Sequence, residues 1–68
     1  MRYSVLVDGK PVPDLKFLRV LADAKLRGEK IAAENVAAEV QIEGYPEQPG
    51  IMLTWRLDRE VNAWVETR

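Results

Sequence analysis

The most constraining feature of the sequence is an amphipathic segment at residues 14–30, DLKFLRVLADAKLRGEK. At a helical turn of about 100° per residue, its polar side chains fall in one line and its apolar side chains fill the rest of the circumference. The line consists of Lys16, Arg19, Asp23, Arg27 and Lys30, with Glu34 continuing it. Because a helix of this length gains most of its stability from packing, the rest of the chain has to supply an apolar surface for it.

The sequence predicts that this helix covers residues 14–27. Pro13 disfavours helical geometry at Val12, so the helix is not expected to begin earlier. Gly28 is the predicted C-cap, followed by a weaker helical turn across residues 29–35. The alternative is one helix that continues to Asn35, which would overhang the predicted strands.

Four segments alternate between apolar and polar residues and predict β-strands. They are Arg2–Asp8, Val36–Glu43, Ile51–Asp58 and Asn62–Thr67. The second segment is also rich in Ala and Glu, which favour helix. A helix there would place Glu39 in the apolar arc, so a strand is the preferred interpretation.

These elements follow one another in the order β-α-β-β-β and predict one small α+β domain over residues 1–68. We expect two layers, with one main helix packed on one face of a three- or four-stranded, mainly antiparallel sheet. The sequence does not determine the strand order. The predicted inward-facing residues are Tyr3, Val5, Val7, Leu15, Leu18, Leu21, Ala22, Val40, Ile42, Leu53, Trp55 and Leu57.

The composition argues against catalysis. The chain contains neither cysteine nor histidine, so it lacks thiolate nucleophiles, disulfides, the usual general base and the commonest transition-metal ligand. We interpret Glu39, Glu43, Asp58 and Glu60 as surface charges rather than catalytic carboxylates. The sequence therefore predicts no enzyme activity, no cofactor and no metal site.

Charge and hydropathy suggest where the protein acts. No apolar run approaches the ~20 residues of a membrane span, and the N-terminal apolar run is too short for a signal peptide. We therefore expect a cytoplasmic protein without a membrane partner. The net charge of −1 combines a basic half, residues 1–30, with an acidic half, residues 31–68.

The sheet face that the helix leaves uncovered is the first predicted binding surface. Its predicted partner-binding residues are Leu6, Met52, Thr54, Arg56 and Trp64. Large exposed apolar patches usually mark contacts, and Trp and Arg are enriched at interface hot spots. The alternative is that the last strand faces the other way and that Trp64 belongs to the core.

The basic edge of the helix is the second predicted surface, for a protein or a nucleic acid. Lys16, Arg19, Arg27 and Lys30 would project together from it. Asp23 and Glu34 interrupt these cations, which favours an ordinary solvated face. The loop tip with Tyr45, Pro46, Gln48 and Pro49 is a third, weaker candidate.

Three functions are compatible with these surfaces. The leading hypothesis is a non-catalytic protein-interaction module that uses the uncovered sheet face or a strand edge, with a homodimer as one form. The first alternative is nucleic-acid or ribonucleoprotein binding through the basic helix edge. The second alternative is a small inhibitor or adaptor, of the kind that phages and mobile elements encode, which occupies another protein's surface.

Overall fold

A computed structural model of the chain describes residues 1–47 and 50–67, and within them one helix packs on a five-stranded antiparallel sheet. The strand order is β2-β1-β3-β4-β5. The predicted two-layer α+β fold is confirmed, although the sheet has more strands than expected. The elements are β1 (Arg2–Val7), β2 (Lys10–Pro11), a 3-10 turn (Pro13–Leu15), α1 (Leu21–Glu34), β3 (Val40–Tyr45), β4 (Leu53–Asp58) and β5 (Ala63–Thr67).

The core lies between α1 and the inner face of the sheet. Val5, Val40 and Ile42 are at most 1% exposed and form its centre. Trp55 and Leu57 extend this core along β4. The predicted alternation in β1, β3 and β4 therefore places the expected apolar residues against the helix.

The helix begins seven residues later than predicted, at Leu21 instead of Asp14. Leu18 is bonded to β1 instead: its N–H donates to the Tyr3 carbonyl at 2.9 Å, and its carbonyl accepts from the Tyr3 N–H at 2.7 Å. A helical conformation at Leu18 would give up both bonds. The prediction of a helix over residues 14–27 is wrong because backbone pairing with β1 outweighs the local amphipathic pattern.

The helix also ends later than predicted, because Gly28 lies inside it and is not a C-cap. It continues to Glu34, as the alternative interpretation proposed. Asn35 then binds the Ile31 carbonyl with its backbone N–H at 2.9 Å and with its Nδ2 at 3.1 Å.

Arg59, in the turn between β4 and β5, satisfies further carbonyls at the end of the helix. Its Nη1 donates to the Ala32 carbonyl at 3.0 Å, and its Nη2 donates to those of Asn35 and Ala38 at 2.8 and 2.6 Å. The last carbonyls of a helix have no partner within the helix. The guanidinium therefore ties the β4–β5 hairpin to the end of α1.

Small residues allow α1 to lie close to the sheet. Ala24, Gly28 and Ala32 are spaced four residues apart and are its buried residues. Ala22, which was predicted to face inward, is exposed, because the helix starts later and presents a different side to the sheet.

Strands β3 and β4 begin later than the sequence pattern suggests. Val36 is 79% exposed and Ile51 is 77% exposed, so neither belongs to its strand. The link into β3 is held by Asp8, whose N–H donates to the Glu39 carbonyl at 2.8 Å while its Oδ1 accepts from the Glu39 N–H at 2.9 Å.

Candidate interaction surfaces

The face of the sheet opposite α1, here called the outer face, is mostly polar. Residues directly opposite each other in an antiparallel sheet point to the same side, so the register assigns its members. They are Arg2, Ser4, Leu6, Gln41, Glu43, Tyr45, Thr54, Arg56, Asp58, Ala63, Val65 and Thr67.

Leu6 lies on the outer face as predicted but is only 6% exposed. In the sheet register it stands between Pro11 of β2 and Gln41 of β3. The prediction that Leu6 is available to a partner is therefore wrong, because β2, which the sequence pattern did not reveal, flanks it.

Trp64 lies on the inner face, so its predicted placement on the outer face is wrong and the alternative is confirmed. It is paired with Leu57, a core residue. Its Nε1 donates to Glu29 Oε2 at 2.9 Å, and a Cβ built on Gly28 would lie 2.8 Å from its Cη2. Trp64 therefore packs against the helix.

Three of the five predicted residues of the uncovered face remain accessible there. Thr54 and Arg56 lie on the outer face in β4, and Met52, which is 42% exposed, directly precedes that strand. The apolar patch predicted from Leu6, Met52 and Trp64 is not formed.

One edge of the sheet, here called the closed edge, is covered by the chain itself. Beyond β1, Val7 pairs with Lys10, the Val5 carbonyl accepts from the Val12 N–H at 2.9 Å, and Tyr3 pairs with Leu18. Backbone groups at Tyr3, Val5 and Val7 thus have partners on this side of β1. The covering strand β2 is also only two residues long and contains Lys and Pro, which hinder pairing with another strand.

The opposite edge, here called the open edge, is the free side of β5. This strand pairs with β4 on one side, and the described part of the chain supplies no strand on the other side. Its sequence AWVET contains neither Pro nor Lys. Alternate residues of such a strand direct their N–H and C=O groups away from the sheet, where another strand can bind them.

A cleft at the closed edge, here called the aromatic–basic cleft, combines two cations with two aromatic rings. It is lined by Arg2, Ser4, Pro11, Lys16, Phe17 and Tyr45. The guanidinium carbon of Arg2 lies 5.2 Å from the centre of the Phe17 ring, within the range of a cation–π interaction.

Phe17 is unusual in both exposure and backbone conformation. It is 63% exposed, and its φ of 62° lies in the left-handed region. A bulky residue in that region costs roughly 1–2 kcal/mol. Phe17 was not among the predicted site residues, because its place in the amphipathic pattern assigned it to the apolar side of the predicted helix.

Tyr45, at the end of β3, is held over the outer face by Glu43. Its hydroxyl donates to Glu43 Oε1 at 2.6 Å. That hydrogen bond, desolvation by burial and the negative charge of Glu43 raise the pKa of Tyr45 above its ordinary value of 10.0. The phenol therefore keeps its proton to higher pH than in the unfolded chain.

Tyr45 and Pro46 belong to the predicted loop tip, whereas Gln48 and Pro49 lie outside the described residues.

We predict that this hydrogen bond makes the stability of the fold fall at high pH. The pKa of Tyr45 is raised on folding, so the Tyr45–Glu43 hydrogen bond adds fully to the free energy of unfolding below pH 10.0. That contribution is lost as the pH rises through the higher pKa of the folded state. Tyrosinate absorbance in a Tyr3→Phe background, where Tyr45 is the only tyrosine, measures the titration. Glu43→Gln is expected to lower the pKa of Tyr45 towards 10.0, and an unchanged titration in that variant would contradict the assignment.

The four cations predicted to form one helix edge are divided between α1 and the link that precedes it. Arg27 and Lys30 are on α1, whereas Lys16 and Arg19 precede it. Arg27 Nε lies 3.2 Å from both carboxylate oxygens of Asp23. The prediction of one continuous basic line along the helix is therefore wrong, and Lys16 instead joins the aromatic–basic cleft.

We compared the chain with protein families, curated proteins and solved structures. No protein family, curated protein or solved structure matches the chain. Within residues 1–47 and 50–67, no group of three or more Asp or Glu side chains is placed to hold a metal ion. In the same ranges, α1 is too short and too polar to span a bilayer.

Proposed function

We propose that this chain is a non-catalytic protein-interaction module that binds a second copy of itself through the open edge and the neighbouring part of the outer face. The observation that carries the proposal is the contrast between the two edges. One edge is covered by residues 10–18, whereas β5 offers five residues without Pro or Lys. Strand addition to a free edge is a recurrent mode of protein recognition.

The sequence of β5 is suited to antiparallel pairing with itself. A two-fold axis at Val65 would place Val65 against Val65 of the second copy and Trp64 against Glu66 of the second copy. Val65 is 38% exposed, so its pairing would remove apolar surface from water. No pair of like charges meets in this register.

The outer face beside β5 would enlarge the contact. Arg56 and Thr54 are the β4 neighbours of Val65 and Thr67, and Met52 adds an exposed apolar side chain. Arg and Met are both enriched at protein interfaces. A five-residue edge with this rim is a small interface, so we expect a dissociation constant on the order of micromolar.

Charge and size also favour self-association. A net charge of −1 produces little repulsion between two copies. A domain of 68 residues is near the lower limit for independent folding, and pairing with a second copy adds buried surface.

We predict that Val65→Lys prevents dimer formation, because it places two ammonium groups against each other at the two-fold axis. Sedimentation velocity over a range of concentrations measures this, with the wild type shifting from monomer to dimer and the variant remaining monomeric. Val20→Lys is the matched control, since Val20 is 58% exposed and lies between α1 and Leu18, which pairs with Tyr3 at the closed edge. This control is expected to dimerise normally.

Two results would overturn the proposal. A wild type that stays monomeric at millimolar concentration would exclude the homodimer, and a dimer that tolerates Val65→Lys would exclude the open edge. In the dimer, hydrogen exchange is expected to slow with concentration at alternate amides of β5.

A further inference from the structure

We propose that the aromatic–basic cleft binds a single-stranded nucleic-acid segment, with one base stacked on the face of Phe17 opposite Arg2 and backbone phosphates at Arg2 and Lys16. This site lies at the closed edge, whereas the proposed dimer contact lies at β5. The two proposals are therefore independent.

Folding alone does not account for the backbone conformation and exposure of Phe17. Its backbone is in the left-handed region, which asparagine or glycine adopts at lower cost. Its ring is 63% exposed, so it adds little to the core. A strained backbone that displays an aromatic ring is typical of a binding site.

The side chains around the Phe17 ring are of the types that bind single strands. Proteins that bind single strands combine cations along the backbone path with aromatic rings on which bases stack. The guanidinium carbon of Arg2 lies 5.2 Å from the Phe17 ring centre, and Lys16 also lines the cleft. Tyr45 supplies a second ring, 37% exposed.

The cleft also contains a hydroxyl group. Ser4 lines the cleft and is only 7% exposed. A serine hydroxyl can donate a hydrogen bond to a phosphate or a base edge.

Acidic residues near the cleft limit the length of nucleic acid that it can contact. Glu43 is engaged by the Tyr45 hydroxyl, whereas Glu47 shares a neighbouring depression with Arg2 and Arg19. We expect Glu47→Gln to strengthen binding, because it removes a carboxylate that repels the phosphates.

The test uses the full chain and dye-labelled oligonucleotides of about ten nucleotides, as DNA and as RNA, followed by fluorescence anisotropy at low salt. Phe17→Asn is the decisive variant, since it suits the left-handed backbone but removes the ring. We expect it to keep or raise the denaturation midpoint while weakening binding about tenfold. Val36→Asn, an equivalent change at an exposed apolar residue outside the cleft, is expected to leave binding unchanged.

Salt dependence tests the phosphate contacts. Each phosphate contact contributes a slope of about −0.7 to log K against log salt for single strands. Arg2→Gln and Lys16→Gln are each expected to reduce the slope by about that amount, whereas Lys30→Gln on α1 is expected to leave it unchanged.

Three outcomes would overturn the proposal. The first is no binding at low salt. The second is equal binding of a duplex of the same sequence, or binding insensitive to Phe17→Asn, since either would mean attraction without stacking. The third is tighter binding of polyglutamate, which would make the cleft a site for acidic peptides.

Discussion

Replacing Gly28 with valine is expected to lower the free energy of unfolding by about 3 kcal/mol, because the new side chain has no room. A Cβ at Gly28 would lie 2.8 Å from Trp64 Cη2 and 3.2 Å from Val40 Cγ1. Val40 is 1% exposed and cannot move away without disturbing β3. The Trp64 ring is held in place by its hydrogen bond to Glu29. Urea denaturation of the two proteins measures the difference.

A double-mutant cycle with alanine shows whether Trp64 is the cause. In an ordinary helix interior, Gly→Ala raises stability by about 1 kcal/mol. We expect Gly28→Ala to lower it by about 1 kcal/mol in the wild type, where overpacking against the indole prevails. In a Trp64→Ala background the same change is expected to be neutral or stabilising, which gives a coupling energy of about 1–2 kcal/mol. A stabilising Gly28→Ala in the wild type would contradict the packing of Trp64 on the helix.

Removing the guanidinium of Arg59 is expected to have the second largest effect. Arg59→Ala would remove the guanidinium donors from the carbonyls of Ala32, Asn35 and Ala38, of which the Asn35 carbonyl keeps a bond from the Ala38 N–H at 3.0 Å. Hydrogen bonds that involve a charged group contribute about 1.5–3 kcal/mol each, less when exposed to water. Since two of the three are exposed, we expect a total loss of about 2 kcal/mol.

Two further variants separate geometry from charge. Arg59→Lys keeps the positive charge near the helix C-terminus but loses the planar fork, so we expect it to recover less than half of the loss. Arg56→Ala, an equivalent change three residues earlier on the outer face, is expected to be nearly neutral in dilute solution. Equal losses in the Arg56 and Arg59 variants would contradict the capping role of Arg59.

The strands were largely predictable because their side chains alternate between a buried and an open side. Val40 and Ile42, or Trp55 and Leu57, carry that pattern in the sequence itself. The start of the helix was not predictable in this way. Residues 14–20 have helical periodicity, but Leu18 pairs with Tyr3, and no local pattern reports a backbone bond to a strand fifteen residues away.

The predicted binding surface on the uncovered sheet face was less accurate, because assigning Trp64 to a face required the register between β4 and β5. The alternation within β5 was predicted correctly, with Val65 and Trp64 on opposite sides. Which side faced the helix depended on the turn at residues 59–62, which pairs Asp58 with Ala63 and Leu57 with Trp64. A shift of one residue exchanges the two faces of a strand, so the turn decided where Trp64 packs.

The closed edge also limits how far this protein can assemble. Domains with two open edges can add copies without end, which is the geometry of fibres. Here residues 10–18 occupy one edge, so pairing through β5 uses the remaining one within the described chain. Because two-fold pairing is isologous, the proposed dimer would be complete at two copies. In that dimer, the short strand β2 would block the addition of further copies at the other edge of the sheet.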